Sequence, residues 1–227
     1  MHPSHCPVCQ STALSQTLEK YGVKYWSCQS CELLFVDDFD KSIIETHNDG
    51  PEVRANIENQ STRLKRVVTY LGRIPGRVLD FGCGLGTYVE FLKSNGIQAV
   101  GIDQDTELQI EHITPSTLDA INMVEVIEHI SDPLHLIERL LKLLKPDGVL
   151  YLESSFVDFL KPLDRSPYIN PKIGHICIQS RKSMNYMKEE LSIELIWINN
   201  NTAILRRSEI PKQTMKSVWD LFNIFRR

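Results

Sequence analysis

Residues 78–90 read VLDFGCGLGTYVE, and this stretch decides the fold. Apolar, β-favouring residues lead into Asp80, a glycine-rich turn follows, and the apolar spacing then becomes helical. A strand that enters a helix through such a turn opens a nucleotide-binding α/β sheet, whose ligands sit beyond the carboxyl ends of the strands. The stretch therefore predicts an α/β fold with a ligand at this turn.

The spacing of the glycines discriminates between nucleotides. The pattern is G-x-G-x-G, and Thr87 stands where the third glycine of a dinucleotide fingerprint would lie. The Gly-Lys-Ser/Thr of a P-loop is absent from the sequence. Asp80 would repel a pyrophosphate but attract a ligand that carries an ammonium and a sulfonium. The turn therefore favours S-adenosylmethionine over NAD or ATP, with Asp80 near the amino group and close backbone approach at Gly82, Gly84 and Gly86.

A second acid, Asp103, follows the next predicted strand, residues 98–102. An acid about 20 residues after the glycine turn can accept hydrogen bonds from both ribose hydroxyls. A solvated surface acid is the alternative. Because the glycine turn precedes it in register, we expect Asp103 to bind the ribose.

Two Cys-x-x-Cys pairs lie within the first 40 residues. They form C-x2-C-x18-C-x2-C, a spacing typical of structural zinc sites, with the ligands Cys6, Cys9, Cys28 and Cys31. Four thiolates fill a tetrahedral coordination sphere, so we expect a structural rather than a catalytic zinc. A pair of redox dithiols is the alternative, but the surrounding βαβ pattern is missing. The segment 1–40 is therefore predicted to be a small zinc ribbon.

A polar cluster follows the predicted strand 120–124. Glu125, Glu128 and His129 are spaced i, i+3, i+4, so one turn of helix would place them on one face. Two carboxylates and an imidazole suit a divalent cation, for which His175 could be a fourth ligand. The alternatives are a substrate-facing base, either His129 or His175, or a purely structural role.

The rest of the chain supplies three further expectations. The proline-rich segment 153–173 is predicted to be a substrate lid. Residues 193–198 and 202–206 are predicted to form a hairpin across three asparagines. The apolar tail 209–227 is interpreted as a helix that docks on the domain, with a membrane-surface or partner helix as the alternative.

With these motifs, residues 55–205 resemble the class I S-adenosylmethionine-dependent methyltransferases. Residues 78–103 resemble their first motif and ribose-binding acid, and residues 120–152 resemble the ubiquinone-type O-methyltransferases. The resemblance implies a methyltransferase domain over residues 52–208, with a Rossmann-like, mostly parallel sheet that ends in an antiparallel hairpin. A zinc ribbon at 1–40 precedes this domain, and a tail at 209–227 follows it. Relatives have a longer stretch than residues 104–119 after the ribose acid, so no adenine ligand is assigned.

The resemblance also implies a function, namely transfer of a methyl group from S-adenosylmethionine to a small molecule. His129, His175 and Glu128 are the catalytic candidates, and Glu125 joins the cofactor-binding set. A short cysteine-paired ribbon before this domain resembles bacterial enzymes that act on sugars and polysaccharide precursors, which suggests a sugar-type acceptor. Small-RNA 2′-O-methyltransferases hold a metal with Glu-x-x-Glu-His and a later histidine. An RNA 2′-O-methyltransferase and a non-catalytic binding module are therefore alternatives.

The composition of the chain limits the classes of partner that it is expected to bind. The 227 residues carry a net charge of −4, which gives no electrostatic reason to expect nucleic acid. No apolar run approaches the ~20 residues that a membrane span needs. We therefore expect a cytoplasmic protein with a small-molecule substrate.

Overall fold

The computed structural model describes residues 3–45, 57–104 and 106–208. The strands found there are β1 (Leu14–Lys20), β2 (Val23–Cys28), β3 (Leu34–Val36), β4 (Arg77–Phe81), β5 (Gln98–Ile102), β6 (Leu118–Val124), β7 (Leu144–Glu153), β8 (Cys177–Ile178), β9 (Ile193–Trp197) and β10 (Thr202–Arg207). The helices are α1 (Ile57–Leu71), α2 (Thr87–Ser94), α3 (Pro133–Leu143) and α4 (Arg181–Glu190). No helix in these ranges is long and apolar enough to span a bilayer.

The chain divides into two compact units whose segments alternate along the sequence. Unit 1 contains Met1–Asn48, Glu125–Glu138 and Glu153–Ala203, and unit 2 contains Asp49–Val124, Arg139–Leu152 and Ile204–Arg227. The division into 1–40, 52–208 and 209–227 stays a prediction, and its last segment lies outside the described residues.

A six-stranded sheet has the strand order β5-β4-β6-β7-β10-β9. Strand β4 pairs in parallel with both β5 and β6, with Asp80 opposite Gly101 on one side and Asn122 on the other. Strands β9 and β10 form the predicted hairpin, in which the Ile198 N–H donates to the Thr202 carbonyl at 2.9 Å. The predicted Rossmann-like α/β sheet is therefore confirmed.

Strand β7 is longer than the sequence indicated. The residues Pro146, Asp147 and Gly148 predict a turn before a strand at 149–152, but the strand is continuous over Leu144–Glu153. A Cβ added at Gly148 would lie 3.1 Å from the Leu118 carbonyl oxygen. This glycine therefore serves close approach of two backbones rather than a turn.

A four-stranded sheet contains the ribbon and has the order β1-β2-β3-β8. The apolar residues at 23–26 and 33–36 predict short strands there, which correspond to parts of β2 and β3. No such pattern indicates β1, because this strand is mostly polar and exposed. Strand β8 comes from far along the chain and pairs antiparallel with β3, with Leu34 opposite Ile178 and Phe35 opposite Cys177. The predicted ribbon thus shares its sheet with a late segment of unit 1.

Candidate functional site

Among the described residues, the glycine turn of unit 2 leaves open space where the sequence predicted a ligand. The N–H groups of Gly82 and Cys83 both donate to the Ile102 carbonyl, at 2.7 and 3.2 Å, which ties the turn to the end of β5. Gly84 and Gly86 have φ values of +49° and +74°, and a Cβ added at either would meet no atom of residues 3–45, 57–104 or 106–208 within 4 Å. All three predicted glycines therefore adopt left-handed backbone, and Gly84 and Gly86 also lie beside space that the described residues leave unfilled, as close approach of a ligand requires.

Asp103 lies at the carboxyl end of β5, where it was predicted. Its Oδ2 accepts a hydrogen bond from the Gly84 N–H and its Oδ1 accepts one from the Gln104 N–H, both at 2.7 Å. These bonds fix the carboxylate against the glycine turn. Each carboxylate oxygen has a second lone pair, so a diol could still donate to both.

Asp80 is buried at the end of β4, with 4% of its surface exposed. The Asn122 amide donates to its Oδ1 at 3.2 Å. Burial raises the pKa of Asp80 to about 7, Arg63 opposes this rise, and the Asp103 carboxylate adds to it. A buried carboxyl group of this kind can gain a proton or a cationic ligand near neutral pH.

Three residues beside Asp80 were missed by the sequence analysis. The Tyr88 hydroxyl and the Asn122 Oδ1 are buried without a hydrogen-bond partner among the described residues. The Arg63 guanidinium lies 4.6 Å from the centre of the Tyr88 ring. Unpaired buried polar atoms are uncommon, and these two could pair with a polar ligand. Asn122 could have been noticed, because an amide in the middle of a buried strand is unusual.

A second cluster, in unit 1, is centred on Glu128. This residue is fully buried, and its carboxylate accepts hydrogen bonds from the Tyr168 hydroxyl and from the Ser154 hydroxyl, the latter at 3.0 Å. The His175 Nε2 lies 3.9 Å from its Oε1. Glu128 is thus held rigidly by two residues, Tyr168 and Ser154, to which no sequence motif had pointed.

The two histidines of this cluster lie side by side. The His129 and His175 ring centres are 4.8 Å apart, in an edge-to-face arrangement. The His175 Nδ1 lies 2.6 Å from the Tyr168 carbonyl oxygen. Because a carbonyl oxygen can only accept, this nitrogen carries the hydrogen, and Nε2 of the neutral ring is left with its lone pair. Nε2 is therefore the basic atom of His175.

The cluster around Glu128 differs from the predicted one in that Glu125 is not part of it. A helical turn over residues 125–129 was expected, but Glu125 has a φ of +52° and only Ile127–His129 form a short 3-10 turn. Ligand atoms of Glu128, His129 and His175 lie within 4.8 Å of one another, and Glu125 is outside this group. Burial and the Glu128 carboxylate raise the pKa of Glu125 to about 8. The left-handed backbone is the physical reason for the difference.

The ribbon brings its four cysteines together. Their Sγ atoms lie within 4.8 Å of one another, with 3.6 Å between Cys6 and Cys31 and 3.4 Å between Cys9 and Cys28. Tetrahedral zinc–thiolate bonds of about 2.3 Å require sulfur–sulfur distances of roughly 3.8 Å. Gln10 and Glu32, each directly after a Cys-x-x-Cys pair, both have left-handed φ values, of 58° and 59°. Two similar turns therefore present a donor set that fits zinc.

Gly174 packs against His129, and this contact gives a testable prediction. Gly174 has a φ of +81°, and an added Cβ would lie 2.9 Å from the His129 Nδ1. We expect Gly174→Ala to displace the imidazole and to lower the free energy of unfolding by about 2 kcal/mol in urea denaturation. The matched control is Gly22→Ala, with a φ of +79° and nothing within 4 Å of the added Cβ, which carries the backbone strain alone. Equal losses in the two variants would contradict the His129 contact.

Comparison with known proteins gives a consistent result. A family model described as a methyltransferase domain matches residues 56–191. The ubiquinone biosynthesis O-methyltransferase of Xanthomonas campestris pv. campestris is 31% identical over 129 residues, which cover 47% of this chain and 54% of that protein. Its counterpart from Xanthomonas oryzae pv. oryzae is also 31% identical over the same shares of the two chains. The chain thus spans about half the length of the curated relatives it matches.

A solved structure supports the fold. A SAM-dependent methyltransferase from Archaeoglobus fulgidus superposes with a TM-score of 0.50 at 21% identity, covering 76% of this chain and 88% of that chain. At this identity the likeness concerns the fold alone.

Proposed function

The chain belongs to the methyltransferase domain family, and we propose that it transfers a methyl group from S-adenosylmethionine to a hydroxyl oxygen of a small molecule. The carrying observation is Asp80, a buried acid at the start of the glycine turn that accepts a hydrogen bond from Asn122, whose own Oδ1 has no hydrogen-bond partner in the described part of the chain. These groups suit a polar, cationic ligand. We propose a small molecule as the acceptor, because the relatives that the chain resembles are O-methyltransferases of ubiquinone biosynthesis. The sugar-type acceptor stays a prediction.

The cofactor half of the proposal concerns unit 2. S-Adenosylmethionine supplies, when bound, an electrophilic methyl group on a sulfonium. We assign Asp80 to its ammonium group and Asp103 to its ribose. Asn122 Oδ1 is a further acceptor for the ammonium, and backbone approach takes place along the glycines at 82, 84 and 86.

The proton-accepting half of the proposal concerns unit 1. His175 Nε2 is the candidate general base, because the hydrogen bond to the Tyr168 carbonyl places the hydrogen of the neutral ring on Nδ1. Glu128 lies 3.9 Å away and would stabilise the imidazolium that forms when the acceptor hydroxyl loses its proton. His129 is the alternative base at the same cluster. Glu125 keeps its proposed place in the cofactor-binding set as a prediction.

Metals enter the proposal at two places. The ribbon cysteines would hold zinc as a structural ion. The donor set of Glu128, His129 and His175 favours a second candidate, in which a divalent cation lowers the pKa of the acceptor hydroxyl. That arrangement would suit a diol, including the ribose end of an RNA, although the net charge of −4 disfavours RNA.

Isothermal titration of the full chain with S-adenosylhomocysteine tests the proposed function. We expect binding by the wild-type protein and about tenfold weaker binding by Asp103→Asn, because the amide offers one acceptor fewer to the ribose diol. The asparagine oxygen can still accept the Gly84 N–H, so the turn should be retained.

The control is Asp37→Asn, an exposed acid of the ribbon that should leave the affinity unchanged. A wild-type protein that ignores S-adenosylhomocysteine would support the non-catalytic module. Retention of NADH in its place would contradict the assignment of the glycine turn.

A further inference from the structure

We propose that the cysteine ribbon positions the His175 imidazole, with Tyr25 as the positioning residue that links them. The inference rests on the proposed function only in taking His175 as the base. It assigns the ribbon a role at the candidate active cluster beyond that of a separately folded appendage. Four observations within unit 1 carry it.

Main-chain groups of successive residues, starting at His175, are hydrogen-bonded to the ribbon. The fully buried Tyr25 donates its hydroxyl hydrogen to the His175 carbonyl at 2.8 Å. The Val36 N–H donates to the Ile176 carbonyl at 2.8 Å, and β8 then pairs with β3. The ribbon thus holds the main chain of His175 and of the three residues that follow it.

The metal-binding turns are part of the same network. The Ser180 hydroxyl donates to the Cys31 carbonyl at 2.5 Å, and Ser180 also caps the start of α4. The Cys28 N–H donates to the Leu33 carbonyl at 2.9 Å, directly before β3 begins. A change in the geometry of the second Cys-x-x-Cys pair would therefore reach β3 and, through it, β8.

The ribbon also packs against the segment that fixes the His175 ring. Tyr25 and Leu34 form a buried apolar cluster with Ile169 and Ile178, and Tyr168 packs against it. The Lys20 ammonium donates to the Ser166 carbonyl at 2.6 Å. The Tyr168 carbonyl is the acceptor that fixes the His175 tautomer. The segment predicted to be a lid is therefore packed on the ribbon in this structure.

On the other side, the His175 strand contacts the acid of the cluster. The Ile176 N–H donates to the Glu128 carbonyl at 2.9 Å. A shift of the His175 main chain would therefore change the distance between Nε2 and the Glu128 carboxylate. A ribbon closed by a metal on its four cysteines would hold this segment in one position, whereas an open ribbon would release it.

The test is Tyr25→Phe in the full, zinc-loaded chain, with the imidazole nitrogens observed by long-range ¹H–¹⁵N NMR at pH 8. Loss of the Tyr25 hydroxyl should let the His175 main chain move relative to the Tyr168 carbonyl and weaken the Nδ1–H bond to it, so we expect the ratio of the Nδ1–H to the Nε2–H tautomer of His175 to fall by up to about fivefold, the value of one hydrogen bond. The control is Tyr21→Phe, an exposed tyrosine of the same ribbon that should leave the ratio unchanged. S-Adenosylhomocysteine affinity, which depends on unit 2, should stay within about twofold in both variants.

An unchanged His175 tautomer ratio in folded Tyr25→Phe would overturn the inference. If that variant does not fold, Lys20→Met in the zinc-loaded chain decides the question, because it removes the ribbon's hydrogen bond to the Ser166 carbonyl and leaves the four cysteines untouched. A smaller share of the Nδ1–H form supports the link, and an unchanged share in the folded variant overturns it. Failure of the wild-type chain to bind S-adenosylhomocysteine would remove the proposed function but leave the imidazole result standing.

Discussion

Asp80→Asn is expected to make the folded chain more stable at pH 8 and to abolish most of its affinity for S-adenosylhomocysteine. An unfolded aspartate ionises near pH 4, whereas burial raises the pKa of Asp80 to about 7 in the folded chain. For an acid whose folded pKa is raised, the free energy of unfolding is highest at low pH and falls as the pH rises through this window. About 1.4 kcal/mol is lost per pH unit, or roughly 4 kcal/mol by pH 7.

Asparagine removes this pH-dependent loss because it carries no charge. We expect urea denaturation to give the variant about 2–4 kcal/mol more stability than the wild type at pH 8. Little difference is expected at pH 4.5, where Asp80 is protonated in the folded state. The quantity to compare is the difference in free energy of unfolding between Asp80→Asn and the wild type. If this difference is the same at pH 8 and at pH 4.5, the raised pKa of the buried Asp80 carboxyl group is contradicted.

Ligand affinity should move in the opposite direction. An ammonium group requires the ionised Asp80 carboxylate, so the affinity of the wild-type protein should rise from pH 6 to pH 8. At pH 6, binding of the ligand should release up to one proton from Asp80. Loss of the charge-assisted bond should weaken binding by Asp80→Asn roughly a hundredfold. Titration calorimetry in buffers of different ionisation enthalpy measures both quantities. Equal affinity of the variant and the wild type would remove Asp80 from the cofactor site.

Cys28→Ser is expected to lose bound zinc and, with it, the ordered structure of unit 1. Structural zinc supplies an apparent ~10–16 kcal/mol in zinc-finger peptides, which is as large as the ~5–15 kcal/mol by which most domains are stable. The loss should spread beyond the ribbon, because Tyr25 and Leu34 share a buried cluster with Ile169 and Ile178.

Metal analysis and thermal unfolding measure this effect. The wild-type chain should contain one zinc ion, and Cys28→Ser none, with unit 1 melting far below the wild type. Cys83→Ser is the matched control, because Cys83 lies in the glycine turn and outside the group of four cysteines. A Cys28→Ser protein with full zinc content and an unchanged melting temperature would rule out the four-cysteine site.

Local patterns in the sequence predicted the parts of the fold that depend on neighbouring residues. The glycine turn, Asp103 at the end of its strand and the terminal hairpin all follow from short motifs. Strand β8 could not be predicted, because it has only two residues and its partner, β3, lies far away in the sequence. Gly148 was misinterpreted for the same reason: its close neighbour, Leu118, is distant along the chain.

In the candidate site, too, the sequence predicted the residues that belong to local motifs but not their distant partners. The cysteine spacing and the order of Glu128 and His129 were visible in the sequence. The partners that determine their chemistry were not, since Tyr168 and Ser154 reach Glu128 from a loop with no regular pattern. Whether Tyr88 and Asn122 have partners depends on packing across several elements, which no single motif encodes.

The pairing of β3 with β8 means that the first forty residues cannot be treated as an interchangeable cassette. A shortened chain without them would present the β8 edge and the apolar faces of Ile169 and Ile178 to water, which invites aggregation. For the same reason, a chimera between relatives would have to carry over both partners, the ribbon and the segment around His175.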